Sequence, residues 1–227
     1  MNSAEAVKKP NRTSRKKQQT KDKLLKAIQI LVLERGLGNI SINDITEQAD
    51  VGLGTFYNYF DSKEALIDAT AELLLARYHQ DVDDITEGLE DPAEIMAASI
   101  IYTLSKAADG SDWGKFIFES GVPIDSYAFN MRIRGMRDIR NGLESKRFTT
   151  DEPEIVISMF TGFSLAISGD VYFGMLPKSA ITIATAKILT LLGIDEEEAK
   201  IITNKNYREI SLTQLPLSLF DLRANQI

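Results

Sequence analysis

Residues 41–63 read SINDITEQADVGLGTFYNYFDSK, and this stretch contains two short helical patterns separated by a turn. The apolar residues of both patterns recur at spacings of three and four positions: Ile42, Ile45 and Ala49 in the first, Leu53, Phe56 and Phe60 in the second. Each spacing predicts one apolar face on a helix. The two faces can share one small core, so the stretch predicts a helix-turn-helix.

The second predicted helix carries an unusual set of groups opposite its apolar face. Thr55, Asn58 and Tyr59 point outward in this pattern, and Tyr57 lies at the flank. Aromatic and polar groups on one exposed helical face are hard to explain without a partner. The second helix is therefore predicted to touch DNA.

Short polar side chains predict where these helices begin. Ser41 with Asp44 three residues later matches a capping box. Asp50, in the turn, can adopt the left-handed conformation, though less easily than glycine. A second capping box, which opens at Asp61, predicts a fourth helix that runs to about Asp81.

The composition is that of an ordinary globular protein and excludes several kinds of site. The chain has 227 residues, of which 44% are hydrophobic and 26% charged. It contains no cysteine, which excludes disulfides and thiolate metal sites, and His79 is its only histidine. No apolar run follows the charged N-terminus, so no signal peptide is predicted. A reducing cytoplasm is the expected location.

The net charge of −7 hides an asymmetry between the N-terminus and the rest of the chain. Residues 1–30 hold nine Lys or Arg and two acids, a local charge of +7, which leaves −7 − 7 = −14 for the remainder. A basic segment attached to an acidic body can bind a polyanion through that segment alone. The other interpretation is a solvated disordered tail.

The chain divides into four predicted parts, and all of its long patterns are helical, which predicts an all-α fold. Residues 1–19 form a basic arm without periodicity, expected to be disordered, and residues 20–66 form the helix-turn-helix domain. A helix over 62–81 links this domain to a larger helical domain over 67–204, and residues 205–227 form an extended tail. Further helices are predicted at about 92–108, 113–119, 126–146, 154–173 and 178–192.

The tail differs from the rest of the chain in its pattern. Its apolar residues alternate weakly: Ile210, Leu212, Leu217 and Leu219. Pro216 excludes a central strand. The pattern therefore predicts an extended segment that lies over the body of the protein.

An apolar run over 155–177 contains a single charge, Asp170. Its uncharged part, 155–169, has 15 residues and carries four serines and threonines, whereas a membrane span needs about 20 apolar residues. We therefore expect a helix that is buried on all sides. A buried carboxylate requires a partner, so Asp170 is expected to face either a ligand pocket or an arginine across a dimer interface.

Residues 23–69 resemble the DNA-binding domain of the tetracycline-repressor (TetR/AcrR) family of bacterial transcription regulators. The runs GTFYNYF at 54–60 and SKEAL at 62–66 are similar to the recognition helix and the start of the fourth helix in that family. The resemblance implies that Thr55 and Tyr57 meet DNA, that Asn58 occupies a contacting position, and that Ser41, Tyr59 and Lys63 hold phosphates. The basic residues expected to assist them are Arg12, Arg15, Lys16 and Lys17.

Three positions depart from the family pattern. Asp50 stands where the family usually has glycine, Leu53 where a polar or basic residue is common, and Asn58 where histidine is frequent. The preferred base sequence therefore cannot be transferred from a relative. Leu53 is expected either to turn inward with Phe56, which its spacing favours, or to contact a thymine methyl group.

The resemblance also implies a two-fold homodimer through residues 154–173 and 178–192, which can read a palindromic operator. Ser158, Gly162 and Ala166, at four-residue spacing, would let helices approach closely. Bound to its operator, such a protein is associated with the nucleoid.

A small-molecule effector of unknown identity is expected in the larger domain, with no cofactor. The alternative for each candidate residue is that it simply fills the core. The candidates are Tyr102, Trp113, Phe116, Phe129, Met136, Phe163 and Tyr172, with Arg132, Arg137 and Asp170 as polar contacts.

The expected function is a ligand-responsive repressor released from DNA by its effector. The alternative is a DNA-bound scaffold that recruits a protein partner, and an enzyme is not expected because no base is placed beside a serine. His79 is expected at the surface or between domains. Two acidic runs, Asp81 to Asp84 and Asp195 to Glu198, are expected to be solvated and to bind no metal.

Overall fold

The computed structural model describes residues 12–122, 125–208 and 214–222, apart from the side chains of 125–127 and 130. Within these residues the chain forms helices and no strands, which confirms the predicted all-α fold. The helices are α1 Arg12–Arg35, α2 Ile42–Gln48, α3 Leu53–Tyr57, α4 Lys63–Thr86, α5 Pro92–Ala108, α6 Asp112–Phe118, α7 Asp125–Glu144, α8 Pro153–Tyr172, α9 Ser179–Leu191 and α10 Glu196–Thr203. Short 3-10 turns cover Leu37–Asn39 and Leu219–Asp221.

Helix α1 begins at Arg12, so the prediction that residues 12–19 are a disordered arm is wrong. Thr20, the first residue after the predicted arm, lies inside this helix, where its hydroxyl donates to the carbonyl of Lys16, 3.1 Å away. Residues 12–19 are all exposed. They lack apolar periodicity and therefore resemble a disordered segment, although Arg, Lys and Gln are good helix formers. Residues 1–11 of the predicted arm lie outside the described part.

The helix-turn-helix forms largely as the sequence predicts. The Ser41 hydroxyl accepts from the backbone N–H of Asp44, and the Asp44 carboxylate accepts from the backbone N–H of Ser41, which completes the capping box. Asp50 has φ of 53°, in the left-handed region. Leu53, however, is 47% exposed, so the favoured inward orientation is wrong. It is the first residue of α3, and Phe56 and Phe60 are the buried side chains that fill the core from this side.

Helix α4 connects the two halves of the molecule. Its N-cap is Ser62, whose hydroxyl accepts from the backbone N–H of Ala65, and not the predicted Asp61. The helix runs to Thr86, five residues past the predicted end at Asp81. Leu66 and Leu73 lie in the core of the DNA-binding side, while Val82 and Ile85 lie in the core of the larger domain.

Helices α5 and α7 to α10 contribute to the core of the larger domain. Each predicted helix from α5 to α9 lies within two residues of its observed bounds. Helix α8 is long and apolar enough to cross a membrane, a property that the core helices of globular proteins share. One side of α8 is buried through Ile157 and Phe160, whereas Ile155 and Met159 are exposed. The expectation of a helix buried on all sides is therefore wrong for the single chain.

The C-terminal segment returns to the DNA-binding side. Leu215 and Leu217 are buried in the core formed by α1, α2, α4 and α6, so the segment covers that domain and not the larger one. The other two residues of the predicted alternation, Ile210 and Leu212, lie outside the described residues.

Candidate nucleic-acid interface and effector region

Helix α3 presents a small exposed surface beside the helix-turn-helix core. Tyr57 is 52% exposed, with its ring set edge-on to the buried ring of Phe56, and Asn58 at the C-cap is exposed as well. Thr55 is half-buried near the start of the helix. Tyr59 is half-buried against the core, which leaves less of it accessible than the sequence suggests. Tyr57 and Asn58 therefore offer the most accessible contacts.

Two of the expected phosphate contacts already have partners within the chain. The hydroxyl of Ser41 donates to the carboxylate of Asp44, and these hydrogen bonds hold the pKa of Asp44 below its usual value. The ammonium of Lys63 donates to the carbonyl of Ile40 at 2.9 Å. An ammonium has three donors, so Lys63 retains two for a phosphate oxygen. Its position is fixed by this bond.

The basic residues of α1 add positive charge next to this surface. Arg12, Arg15, Lys16 and Lys17 are exposed on the first turns of the helix. Further along, Lys23 lies 3.8 Å from the Asp50 carboxylate, and the Lys21 ammonium lies 5.9 Å from the ring centre of Phe60. The middle of α1 therefore runs beside both ends of α3.

The residues expected at an effector do not form one site. Trp113 and Phe116 fill the core on the DNA-binding side, and Phe129 is 62% exposed on α7, so none of these three lines a pocket within the larger domain. Met136 and Phe163 pack against the core of the larger domain. These side chains lie in different layers because a single helix presents several faces.

The polar candidates among the expected effector residues are mostly engaged with neighbours. Arg132 donates to the hydroxyl of Ser158 at 2.6 Å, and Arg137 donates to the carboxylate of Asp138 at 2.9 Å. The remaining two lie on α8: Asp170 is half-buried, and the hydroxyl of Tyr172 donates to Glu119 at 2.5 Å. Burial and this hydrogen bond raise the pKa of Tyr172 to about 12.

A buried charge cluster joins α4, α5 and α6. The ammonium of Lys106 lies 2.5 Å from the Asp81 carboxylate and 4.0 Å from the ring centre of Trp113, and Tyr102 donates to the same carboxylate. Arg77 makes a second ion pair with Asp81 at 2.6 Å. Burial lowers the pKa of Lys106, and the Asp81 carboxylate opposes that shift. The expectation that Asp81 is solvated is therefore wrong, because α4 continues past it.

A second polar cluster lies between α4 and α7. Arg134 donates to the carboxylate of Asp83 at 2.6 Å, and its Nε is buried without a hydrogen-bond partner. The Nε2 of His79 is likewise buried without a partner. Burial, reinforced by the Arg134 guanidinium, lowers the pKa of His79, so the imidazole is neutral at pH 7. Unpaired buried polar atoms cost free energy, and a ligand can satisfy them.

The two clusters contain the residues that sequence reasoning missed. Lys106 had a usable signal, since a lysine within the apolar pattern of α5 requires a buried partner. His79 and Arg134 had none, because they come together only when α7 packs on α4. Groups of three or more metal-ligating side chains are not found among the described residues.

Comparison with protein families identifies the architecture. Residues 24–70 match the model of bacterial regulatory proteins of the tetR family, and residues 91–205 match that of the tetracyclin repressor-like C-terminal domain. The chain belongs to the TetR family of bacterial transcriptional regulators. As a TetR-family regulator, it binds DNA through the helix-turn-helix of α2 and α3.

Individual relatives agree with this assignment. The chain is 43% identical over 70 residues to the uncharacterized HTH-type transcriptional regulator YvdT of Bacillus subtilis and 35% identical over 71 residues to the transcriptional repressor NemR of Escherichia coli. Each match covers 31% of this chain and 36% of the relative. The crystal structure of RolR in complex with resorcinol is similar over 87% of this chain and 99% of RolR, with 30% identity and a TM-score of 0.67.

Proposed function

We propose that this TetR-family chain is a homodimeric repressor that holds a palindromic operator and releases it when a small phenol with two hydroxyl groups binds. The observation that carries the proposal is the exposed surface of Tyr57 and Asn58 on α3, whose two flanking turns lie beside Lys21 and Lys23 of α1. Two such surfaces, related by a two-fold axis, can enter successive major grooves. Asn58 can pair with adenine, and the lysines and arginines bind phosphates. The proposal places the protein in the cytoplasm, on the nucleoid, and assigns it no catalytic step.

The proposed dimer interface is the exposed face of α8 and α9. Ser158, Gly162 and Ala166 are all exposed on one row of α8, and a side chain added at Gly162 would meet nothing within 4 Å. Large apolar side chains are exposed on the same two helices: Ile155, Met159, Ile183 and Leu191. Apolar surface of this kind on a monomer marks an interface, and small residues allow helices to approach closely.

Sedimentation at micromolar concentration tests the interface. Gly162→Trp should shift the protein from dimer to monomer, because the indole would occupy the space of the partner helix. The matched control is Gly38→Trp in the DNA-binding domain, where an added side chain also meets nothing within 4 Å. A monomeric wild-type protein, or a shift from dimer to monomer in both variants, would contradict this interface.

The proposed effector site is the cluster of His79, Asp83 and Arg134 between α4 and α7. It offers a neutral imidazole and a guanidinium, both with an unpaired buried nitrogen, beside a carboxylate that can accept from a hydroxyl group. RolR, which is similar along most of the chain, has been solved with resorcinol. The site lies on the helix that continues into the DNA-binding domain, so an occupant that moves α4 changes the position of α3.

Calorimetry with resorcinol tests this site, with cyclohexane-1,3-diol as the non-aromatic control. Resorcinol should bind and should lower the affinity for the operator, and Arg134→Met should abolish both effects while leaving operator binding intact. The control variant is Arg140→Met, at an exposed position of the same helix. Binding of resorcinol that persists in Arg134→Met would place the effector elsewhere.

The scaffold alternative has one observation in its favour: Phe129 and Ile133 are exposed on neighbouring turns of α7. Exposed apolar groups on one helix can dock a protein. The scaffold would be favoured over the ligand-responsive repressor by two results together: an operator affinity that no tested phenol changes, and loss of regulation in Phe129→Ser.

A further inference from the structure

The direction of α1 is fixed by contacts at its end and in its middle. After the helix, the backbone N–H of Leu37 donates to the carbonyl of Ser120, at the end of α6, at 2.7 Å. In the middle, Lys21 and Lys23 lie beside the two turns that flank α3. The first turns, residues 12–19, therefore extend past the recognition helix and away from the larger domain. At 1.5 Å per residue, this extension is about 12 Å long.

The C-terminal segment, residues 214–222, is clamped along α1 by buried hydrogen bonds. The side-chain amide of Gln29 accepts from the backbone N–H of Leu217 at 2.7 Å and donates to its carbonyl at 3.0 Å. Closer to the N-terminus of α1, the Asp22 carboxylate accepts from the hydroxyl of Ser218 at 2.8 Å and from the backbone N–H of Leu219 at 2.6 Å. The segment thus runs antiparallel to α1, toward its basic end.

Phe220 is the side chain that this arrangement brings to the basic end of α1. It is 58% exposed, although the residues on both sides of it pack on the DNA-binding core or bond to the segment itself. A cleft of about 460 Å³ separates Phe220 from Arg15, Gln18 and Gln19. An aromatic group beside a cationic cleft can lie on the sugars of a nucleic acid while the charged groups hold its phosphates.

The charge of the surface around Phe220 and the first turns of α1 indicates which kind of partner can bind there. Residues 12–21 contain five cationic side chains and no acid: Arg12, Arg15, Lys16, Lys17 and Lys21. The nearest carboxylate in sequence, Asp22, is turned into the clamp. A polyanion therefore fits the surface, and double-stranded DNA is the polyanion that the neighbouring α3 already binds.

We propose that residues 214–222 are part of the DNA-binding surface, with Phe220 and Arg15 contacting the sugar–phosphate backbone that flanks the recognised half-site. The inference rests on the proposed placement of α3 in the major groove and adds a contact outside it.

The test uses two duplexes derived from a binding site that the full-length protein selects from a random-sequence pool. One contains the selected palindrome alone, and the other extends it by about ten base pairs, roughly one helical turn, on each side. The wild-type protein should bind the longer duplex about five times more tightly at low salt, and the difference should shrink as the salt concentration rises. Fluorescence anisotropy measures both affinities.

Phe220→Glu should remove most of this gain and leave the affinity for the short duplex within about twofold, because the added carboxylate repels phosphates only where Phe220 lies. Phe220→Ala should remove part of it. Both variants should keep the wild-type melting temperature, since the side chain is exposed. Ile201→Glu, at an exposed apolar position on α10, is the matched control and should change neither affinity.

Equal affinity of the wild-type protein for the two duplexes would overturn the inference while leaving the proposed function standing. Equal weakening of both duplexes by Phe220→Glu would also overturn it. If Phe220→Glu lost self-association but kept the higher affinity for the longer duplex, the surface would bind a second copy of the acidic chain instead of DNA. A wild-type protein that selects no palindrome would contradict the proposed function itself.

Discussion

Two polar regions of the molecule differ in the exposure of their charged groups. One is the surface of α1 and α3, and the other is the interior between α4, α5 and α7. On the first, Arg12, Arg15, Lys16 and Lys17 are exposed, and so are Tyr57 and Asn58. In the second, Lys106 and Asp81 are almost fully buried and bonded to each other. Solvated charges respond to salt and bind a polyanion without rearrangement, whereas buried pairs resist any change in their distance.

In the proposed function, the first of these regions reads DNA and the second transmits the effector signal. The Lys106–Asp81 pair joins α5 to α4, and the contact of Lys106 with Trp113 joins both to the core on the DNA-binding side. A displacement of α4 that weakened this pair would cost free energy, so the helices α4, α5 and α6 should move as a unit. The residues proposed to face DNA would then be repositioned without unfolding any part of their surface.

The largest expected effect is on the buried pair. Asp81→Asn should lower the free energy of unfolding by about 3–5 kcal/mol, because it leaves the Lys106 ammonium buried without its counter-charge. Denaturation with urea measures the loss, and a further Lys106→Met substitution should recover much of it. Glu196→Gln, which removes the exposed partner of Lys187, should cost far less, because solvent screens an exposed ion pair. Similar losses of unfolding free energy in Asp81→Asn and Glu196→Gln would contradict the contrast between the buried and the exposed pair.

The next effect concerns the reading surface. Tyr57→Ala should weaken operator binding about 10- to 100-fold and leave the melting temperature almost unchanged, because the ring is half exposed and only its edge touches Phe56. Phe56→Ala is the opposite control, since Phe56 is fully buried and its loss should unfold the domain. A fall in melting temperature for Tyr57→Ala as large as that for Phe56→Ala would show that Tyr57 is a core residue.

A smaller effect is expected from a single basic side chain of α1. Lys16→Ala should reduce the slope of log affinity against log salt concentration by about one, the contribution of one phosphate contact. Lys200→Ala, an exposed lysine on α10 that is paired with Glu197, should leave the slope unchanged. Titrations at several salt concentrations compare the two variants, and an equal slope in all three proteins would place α1 off the DNA.

The smallest effect is a dependence of stability on pH. Folding lowers the pKa of His79, so below its usual value of about 6.5 the unfolded chain binds the proton more readily than the folded chain. The free energy of unfolding should therefore fall as the pH drops below about 6.5. His79→Gln should flatten this part of the profile. An unchanged profile would show that the imidazole is solvated in the native protein.

The helix-turn-helix was predictable because its determinants are close together in sequence. The Ser41–Asp44 capping box and the left-handed Asp50 each depend on a few consecutive residues, and both predictions are confirmed. Leu53 shows the limit of predictions from spacing. It fits the helical period, yet it is the first residue of a five-residue helix and is exposed there.

The buried clusters and the clamp were not predictable, because their residues are far apart in sequence. Asp81 and Lys106 are 25 residues apart, and Gln29 and Leu217 are 188 residues apart, so their partners are determined only by the packing of whole helices. Trp113 was a candidate effector contact with core filling as the alternative, and α6 packs on α1 and takes the indole into the core on the DNA-binding side. A pattern on one helix does not identify the helix that it will face.

The most direct test of the account is the stoichiometry and affinity of the protein on a selected palindrome and on the same duplex with one half-site scrambled. A homodimeric reader predicts two protomers per palindrome and a loss of affinity of at least about 100-fold when one half is scrambled. Analytical ultracentrifugation with labelled DNA measures both quantities. One protomer per duplex, with the same affinity for the intact and the scrambled site, would contradict the account.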